Sequence, residues 1–313
     1  MNKIKVETVN GGYVEIVQHS VNQAGEELLT VNTKYGLIVH AEWLRHRQLS
    51  RGVKSNRAIP CKVIRKEVLE DPYVPVWFGA NKSGMVSQVE VKHKKLCTNL
   101  WKAARYPTIA VHWTLEKLGL HKEVNNRLLN PWQWVRETVT ASEWDNFFNL
   151  RCHSDAQRDI KIVADALLEA KSLSTPMFIN AGEWHTPYVD RKRVDGKMKY
   201  YDTDGTELTP EQAIKASAAR CARSSYDKHD GSKPTLKGDL PLYEMLIESN
   251  PKHASPVEHQ GTPIPTFISN WKDIEGITHE DRKGQLWSGN FKGFIQYRQL
   301  LNNHTCNNYK EGV

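Results

Sequence analysis

The chain reads as an α+β fold, a central mixed or antiparallel sheet flanked by helices, and three observations predict it. The first fifty residues alternate apolar and polar positions, later segments carry the helical period behind capping residues, and no Pro- or Ser-rich linker divides the 313 residues. A chain of this length can bury a substantial core, and 39% hydrophobic residues with ten Trp suit a folded globule. There is no repeat of fixed period and no low-complexity tract.

The elements follow in order. Gly12-Tyr13-Val14-Glu15-Ile16-Val17, Leu28-Leu29-Thr30-Val31-Asn32 and the apolar run Gly36-Leu37-Ile38-Val39 predict a small sheet or hairpin leading into a helix over Ala41 to Leu49. Residues 70–90 hold Pro, Gly and aromatics without a period, which predicts an ordered loop crossing a binding surface. Leu96, Leu100, Ala103 and Ala104 keep helical spacing up to Pro107, and a second helix from Ile109 to Leu118 stops at the C-cap residue Gly119. His121 to Leu129 follows, halted near Pro131. Ser154 and Gln157 form a capping box ahead of a face lined by Ala156, Ile160, Val163 and Leu167. Thr209-Pro210-Glu211-Gln212 forms a second box, with Pro at the first helical position, for a helix running to about Ser224. Between them, Val189 to Glu207 is dense in Lys, Arg and Asp and predicts an exposed hairpin with its turn at Asp204-Gly205.

Composition excludes several classes. No stretch approaches eighteen consecutive apolar residues and MNKIKVETVNGG lacks an apolar core, so a cytoplasmic protein without membrane span or secretory signal is expected. Five scattered Cys without a CxxC pair fit reduced thiols, not a disulfide framework or a structural zinc site. The net charge of +7 points to anionic partners without separating nucleotides, folates and polynucleotides.

The segment RHRQLSRGVKSNR concentrates the chemistry. Arg45, His46, Arg47, Ser55, Asn56 and Arg57 fall within thirteen positions, and guanidiniums with a hydroxyl and the amides beside Gly52 make a ring of donors for a phosphorylated ligand. The bland alternative is a solvated basic patch. Arg151 closes a tract with apolar anchors, so it is expected at the edge of a core. There it either stabilises negative charge on a ligand oxygen or pairs with Asp155 or Asp159. Arg127 sits on the helix before Pro131. In His253-Ala254-Ser255-Pro256-Val257-Glu258-His259 the spacing fits no common metal set. His253 and Ser255 are expected to face a cofactor while Glu258 and His259 bond internally, the alternative being a turn with exposed histidines. Trp184 to Tyr188 reads as packing. No GxSxG, Walker or GxGxxG motif is present, and Cys152 follows Arg151, a cation that would stabilise its thiolate. Tyr297 and Arg298 either complete a pocket or cap a terminal helix.

Together these segments resemble the flavin-dependent thymidylate synthases. The hallmark Arg-His-Arg, seven residues, Ser is met at Arg45, His46, Arg47 and Ser55. Arg127 with Pro131, Asn146 with Arg151, Ala156-Gln157-Arg158-Asp159-Ile160, Ala222-Arg223-Ser224-Ser225-Tyr226 and residues 253–259 match further family elements. The order departs from most members: the last two elements follow the Arg-His-Arg motif, a circular permutation like that of the longer, phage-like members. Val53 replaces an acidic residue, Ser142 an Arg and Asn56 a Gly. The resemblance implies one domain over 1–313, with halves 1–175 and 208–313 joined by a hairpin over 176–207. It implies FAD-dependent methylation of dUMP to dTMP with methylenetetrahydrofolate as carbon donor and NADPH as reductant. Arg45, Ser55, Asn56, Arg57, Arg127 and Arg151 would surround dUMP, with Arg127 on its phosphate and Arg151 at the uracil edge as the catalytic group. His46, Arg47, Asn146, Ser255 and His253 would contact FAD, with His253 near the flavin or the folate. No metal is implied, and subunits would share sites in a homotetramer. The alternatives are hydroxymethylation of dUMP or dCMP on the same scaffold and, further off, a nucleic-acid-binding protein without catalysis.

Overall fold

The alternation through the first fifty residues builds two long antiparallel strands. The computed structural model describes residues 4–224, 233–249 and 252–306. It begins with β1 (Lys5–Glu7), β2 (Tyr13–Val21) and β3 (Glu27–Gly36), then α1 (His40–Leu44) and β4 (Ser50–Val53). Next come α2 (Cys61–Glu70), α3 (Lys94–Ala103), α4 (Arg105–Lys117) and α5 (Lys122–Asn125), the last continued by a 3-10 segment over Asn126–Trp132. β5 (Trp134–Ala141), α6 (Asp145–Arg151), α7 (Arg158–Leu173) and β6 (Met177–Phe178) follow. Then come β7 (Asp190–Val194), β8 (Lys197–Tyr201), β9 (Glu207–Leu208), α8 (Pro210–Ser224) and α9 (Leu236–Ile247). The last strands are β10 (Gly261–Pro263), β11 (His279–Glu280), β12 (Leu286–Ser288), β13 (Phe291–Lys292) and β14 (Phe294–Gln296).

The central sheet has the order β1-β2-β3-β5-β4, antiparallel throughout, and β6 adds to β2 in parallel, so the sheet is mixed. β5 is inserted between β3 and β4, with Leu29 opposite Ala141 and Ser50 opposite Thr140. Period-2 alternation gives the sheet two different faces. On one, Val14, Val31, Tyr35 and Val139 pack on Trp43, Phe147, Ile160 and Leu167 of the helices. Each such side chain contributes about 1.5–3 kcal/mol by leaving water. The other face is polar yet buried. Ser20 Oγ lies 2.6 Å from His185 Nδ1, His185 Nε2 2.8 Å from Thr30, Thr30 2.7 Å from Thr140, and Thr140 2.9 Å from His259 Nδ1. These hydroxyls and imidazoles bond one another, with His259 Nε2 alone of the set left without a partner among the described residues, which lets the second half of the chain cover a face that would otherwise need water. Among the described residues no helix is long and apolar enough to cross a membrane.

Element boundaries depart from expectation where tertiary bonds intervene. The helix expected to reach Leu49 ends at Leu44, because the His46 and Leu49 N–H groups bond three residues back, to Trp43 and His46, and Ser50 joins β5. The break expected at Pro107 falls at Ala104; Pro107 occupies the first turn of α4, where its missing N–H costs nothing. The helix expected over His121 to Leu129 is α-helical only to Asn125 and tightens to 3-10 geometry through Pro131. Gln157, not Ser154, caps α7: its Oε1 accepts the N–H groups of Asp159 at 2.7 Å and Ile160 at 3.0 Å. Gln157→Ala should therefore cost about 1 kcal/mol in urea unfolding, whereas Ser154→Ala should cost nothing measurable. The Thr209 box forms as expected, with Gln212 Oε1 accepting the Thr209 N–H and Thr209 Oγ1 the Gln212 N–H. The β7–β8 turn lies at Asp195-Gly196, both at positive φ, and Asp204-Gly205 makes the next turn instead. Nor is that hairpin wholly exposed. Arg191 is buried, its Nη2 donating to Ser20 Oγ at 2.7 Å, and Tyr200 and Leu208 pack against α8.

Candidate functional site

Val53 ends β4, and the loop over 54–59 folds back onto the 3-10 segment that carries Arg127. Asn126, fully buried, holds the two together: its Nδ2 donates to the carbonyls of Asn56 at 2.9 Å and Ile59 at 3.0 Å. Gln133 completes the clamp, donating to Asn126 O at 2.8 Å and accepting from Asn56 Nδ2 at 2.5 Å. His112 Nε2 lies 3.2 Å from Asn126 Oδ1, and burial holds this imidazole below its ordinary pKa. Ser55, Asn56 and Arg57 thereby share the wall of one cavity, of about 180 Å³, with Arg127. Lys54, Arg57 and Arg127 give that wall three cations against one carboxylate, Glu123. The stem of Arg127 is fixed by Nε donating to Glu123 O at 3.1 Å, and its head is exposed. Two guanidiniums beside a hydroxyl and an amide suit a phosphate monoester. The volume lies below the roughly 300–1,000 Å³ of a site that encloses a whole drug-sized ligand, so the cavity has room for only part of one.

A second cluster forms beyond the other end of β4. Phe147 inserts into the core beside Trp43, and the turn of α6 that follows presents Arg151 at the core's edge. Arg151 Nε donates to His46 Nε2 at 3.0 Å and Nη2 to Glu42 O at 3.0 Å. The His46 ring is buried against Phe147, with ring centroids 5.0 Å apart. Burial, then the charges of Arg151 and Arg51, push its pKa down to about 4, so it is neutral at pH 7 and its Nε2 is the acceptor. Arg45, Arg47 and Asn146 are exposed around this pair.

The 253–259 segment attaches to the same end. Gln296 Nε2 donates to both Glu258 O at 3.1 Å and Ser50 Oγ at 3.2 Å, tying it to the start of β4. His253 and Ser255 are exposed, whereas Glu258 pairs with Arg298 and His259 bonds Thr140, the internal bonding expected of those two. Ser55, Asn56, Arg57 and Arg127 are thus brought together, and so are His46 and Arg151. The two groups are held apart, on one chain, by the four residues of β4, about 13 Å of strand.

Several expectations are corrected. Arg151 pairs with neither Asp155 nor Asp159; Asp159 instead accepts from Tyr73 Oη and the Val76 N–H. Burial, with Asp165 adding to it, pushes the Cys152 thiol up to about 11, so no thiolate is stabilised there. Arg298 is engaged by Glu258, and Tyr297 bonds Tyr243 at 2.8 Å. Ser142 Oγ accepts the Lys292 N–H at 2.7 Å and so anchors β13. Ser225 and Tyr226 lie outside the described residues. Lys54, Asn126, Gln133 and Glu42 were missed from the sequence. The Asn125-Asn126 doublet before a Pro was the one available signal for the clamp.

A larger cavity, of about 330 Å³, lies between the β2–β3 turn and the C-terminal strands. It contains none of the candidate residues, and Glu26 is its only charged lining residue, so it offers an anion no cation. Among the described residues no group of three His, Cys, Asp or Glu side chains could hold a metal ion. No family model and no curated protein matches the sequence. Among solved structures, the chain is similar to a UMP/dUMP methylase, PolB from Streptomyces cacaoi, bound with 5-Br UMP. The similarity covers 54% of this chain and 92% of that one, at 18% identity and a TM-score of 0.44.

Proposed function

We propose that the chain is an enzyme that methylates dUMP to dTMP, using FAD, methylenetetrahydrofolate and NADPH. The observation that carries this reading is the cavity in which Ser55, Asn56 and Arg57 meet Arg127 from seventy residues away. Arg127 and Arg57 hold the phosphate, with Ser55 and Asn56 on the neighbouring oxygens. Arg151 serves the uracil edge. Its Nε and Nη2 are occupied by His46 and Glu42, which fixes the plane of the guanidinium and leaves Nη1 for the ring. A cation that cannot give up its proton favours the ring deprotonated at N3 and so raises electron density at C5.

The residues around the second cluster fit FAD by their donor chemistry: Arg47 offers an exposed guanidinium to a diphosphate, and Asn146, Ser255 and His253 offer polar groups. Arg45, exposed beside them, is the dUMP ligand that a neighbouring subunit's site would take up. Bound there, the flavin supplies the hydride. His46, committed to Arg151, acts by orienting it. Because one chain separates its two cation clusters, the reading includes a homotetramer in which subunits combine them. Leu96, Leu100, Val111 and Trp113 on α3 and α4, each more than half exposed, supply apolar surface for such contacts.

The test is a yellow preparation with flavin absorbance that changes on adding dUMP, together with product masses from parallel assays on dUMP and dCMP. A colourless protein that yields no methylated nucleotide rejects the reading, and a hydroxymethyl product from either substrate redirects it. Arg127→Ala should weaken dUMP binding roughly thirtyfold, as for loss of about 2 kcal/mol of charge-assisted bonding, with little change in melting temperature; calorimetric titration checks both halves.

A further inference from the structure

Glu137 lies on β5 opposite Val53, on the face turned to the core, and the chemistry above makes no use of it. The residue is 3% exposed. Tyr35 Oη donates to Glu137 Oε2 at 2.6 Å and lies 2.7 Å from Nδ1 of His40, which is only partly buried at the start of α1. Three side chains from β5, β3 and α1 therefore connect the sheet interior to the surface by two short hydrogen bonds. The charged group that faces all three is Arg51 of β4, whose Nη1 donates to Trp43 O at 3.1 Å. Trp43 packs on the Tyr35 ring with centroids 5.4 Å apart, and Thr33 Oγ1 donates to the Glu137 carbonyl.

We propose that His40, Tyr35 and Glu137 form a proton-transfer line, with Glu137 as a buried proton-binding site and Tyr35 as the relay to the surface. With Glu137 ionised, the Tyr35 hydroxyl donates to Oε2 and His40 Nδ1–H donates to the Tyr35 oxygen. Transfer moves the Tyr35 proton to Oε2 while the His40 proton moves to the Tyr35 oxygen. A hydronium or buffer acid protonates His40 Nε2 in the same event, so the phenol is regenerated and donates to Nδ1, Glu137 ends neutral and donates to the phenol oxygen, and His40 ends as its neutral Nε2–H tautomer. Both end states keep both hydrogen bonds, so reversing the line breaks nothing. The proton affinities run inward. Burial pushes the Glu137 carboxyl up to about 7 against the pull of Tyr35 and Arg51, while burial and Arg51 hold His40 below its ordinary range. A proton arriving near neutral pH therefore settles on Glu137. This proposal does not depend on the methylation reading, because its readout is proton binding.

The experiment is an NMR titration of the full-length protein between about pH 5 and 9, following the side-chain carboxyl of Glu137 and the ring nitrogens of His40. The expected result is a Glu137 inflection near neutrality that also appears at His40 Nδ1. In Tyr35→Phe, His40 should lose that inflection while Glu137 keeps its own. A Glu137 that stays ionised throughout, or a Tyr35→Phe protein in which His40 still reports the inflection, overturns the proposal. Should Tyr35→Phe fold poorly, Glu137→Gln keeps a hydrogen-bonding partner for Tyr35. There the shared inflection must vanish from His40, and a His40 profile identical to wild type overturns the line equally.

Discussion

Arg151→Lys is expected to lower turnover about 10³-fold while dUMP affinity falls only modestly. Charge is conserved in this exchange, but geometry is not. Arg151 donates from Nε to His46 and from Nη2 to the Glu42 carbonyl, which leaves Nη1 for the substrate. A lysine has one nitrogen on a flexible stem, so either it bonds inward and abandons the substrate, or it reaches outward and leaves the His46 Nε2 acceptor unpaired. Steady-state kinetics with equilibrium dUMP binding separates the two quantities. A lysine variant that turns over like wild type removes Arg151 from the chemistry.

Arg220→Ala should cost about 3–5 kcal/mol in urea unfolding with an unchanged slope. Arg220, 3% exposed, donates from Nε to Asp239 at 2.8 Å, from Nη1 to Tyr188 O at 2.9 Å, and from Nη2 to Asp202. Asp239 also meets Arg223, so four charged side chains share one site between α8, α9 and the β8–β9 turn. Removing the central guanidinium strands a buried carboxylate. Burial works to raise Asp202, but the N–H groups of Leu236 and Thr203 and then Arg220 outweigh it and hold this carboxyl below its usual range. Its contribution is therefore present above the unfolded carboxylate value and is lost as pH falls through the depressed one. A loss below 1 kcal/mol would mean that water reaches the cluster in solution.

Much of the sheet and one of the two capping boxes were legible. Tyr13 to Val17 and Leu28 to Asn32 alternate because one side of each strand meets Trp43 and α7, and that period is local. Thr209 and Gln212 lie three apart and cap each other without help from the rest of the chain. What escaped depends on distant partners. Helix α1 stops early because His46 turns inward to meet Phe147 and Arg151, a hundred residues downstream. Thr30 and Thr140 occupy positions that alternation alone would assign to solvent, and only their bonds to His185 and His259 explain a dry polar face. At the candidate site, motif spacing singled out Ser55, Arg57 and Arg127. The Asn126–Gln133 clamp that sets them in one wall works through backbone carbonyls, which carry no residue-type signature.

The insertion of β5 between β3 and β4 bears on how the chain matures. β4 has no ladder partner among the described strands except β5. A ribosome adding about 5–20 residues per second needs roughly 4 to 16 seconds to travel from residue 53 to residue 134. During that interval the newborn Arg-His-Arg segment hangs from an unzipped edge of β3, open to mispairing and to proteases. The loop over 54–59 therefore takes its final place only after β5 has been made, and chaperone demand should peak before the middle of the message has been read.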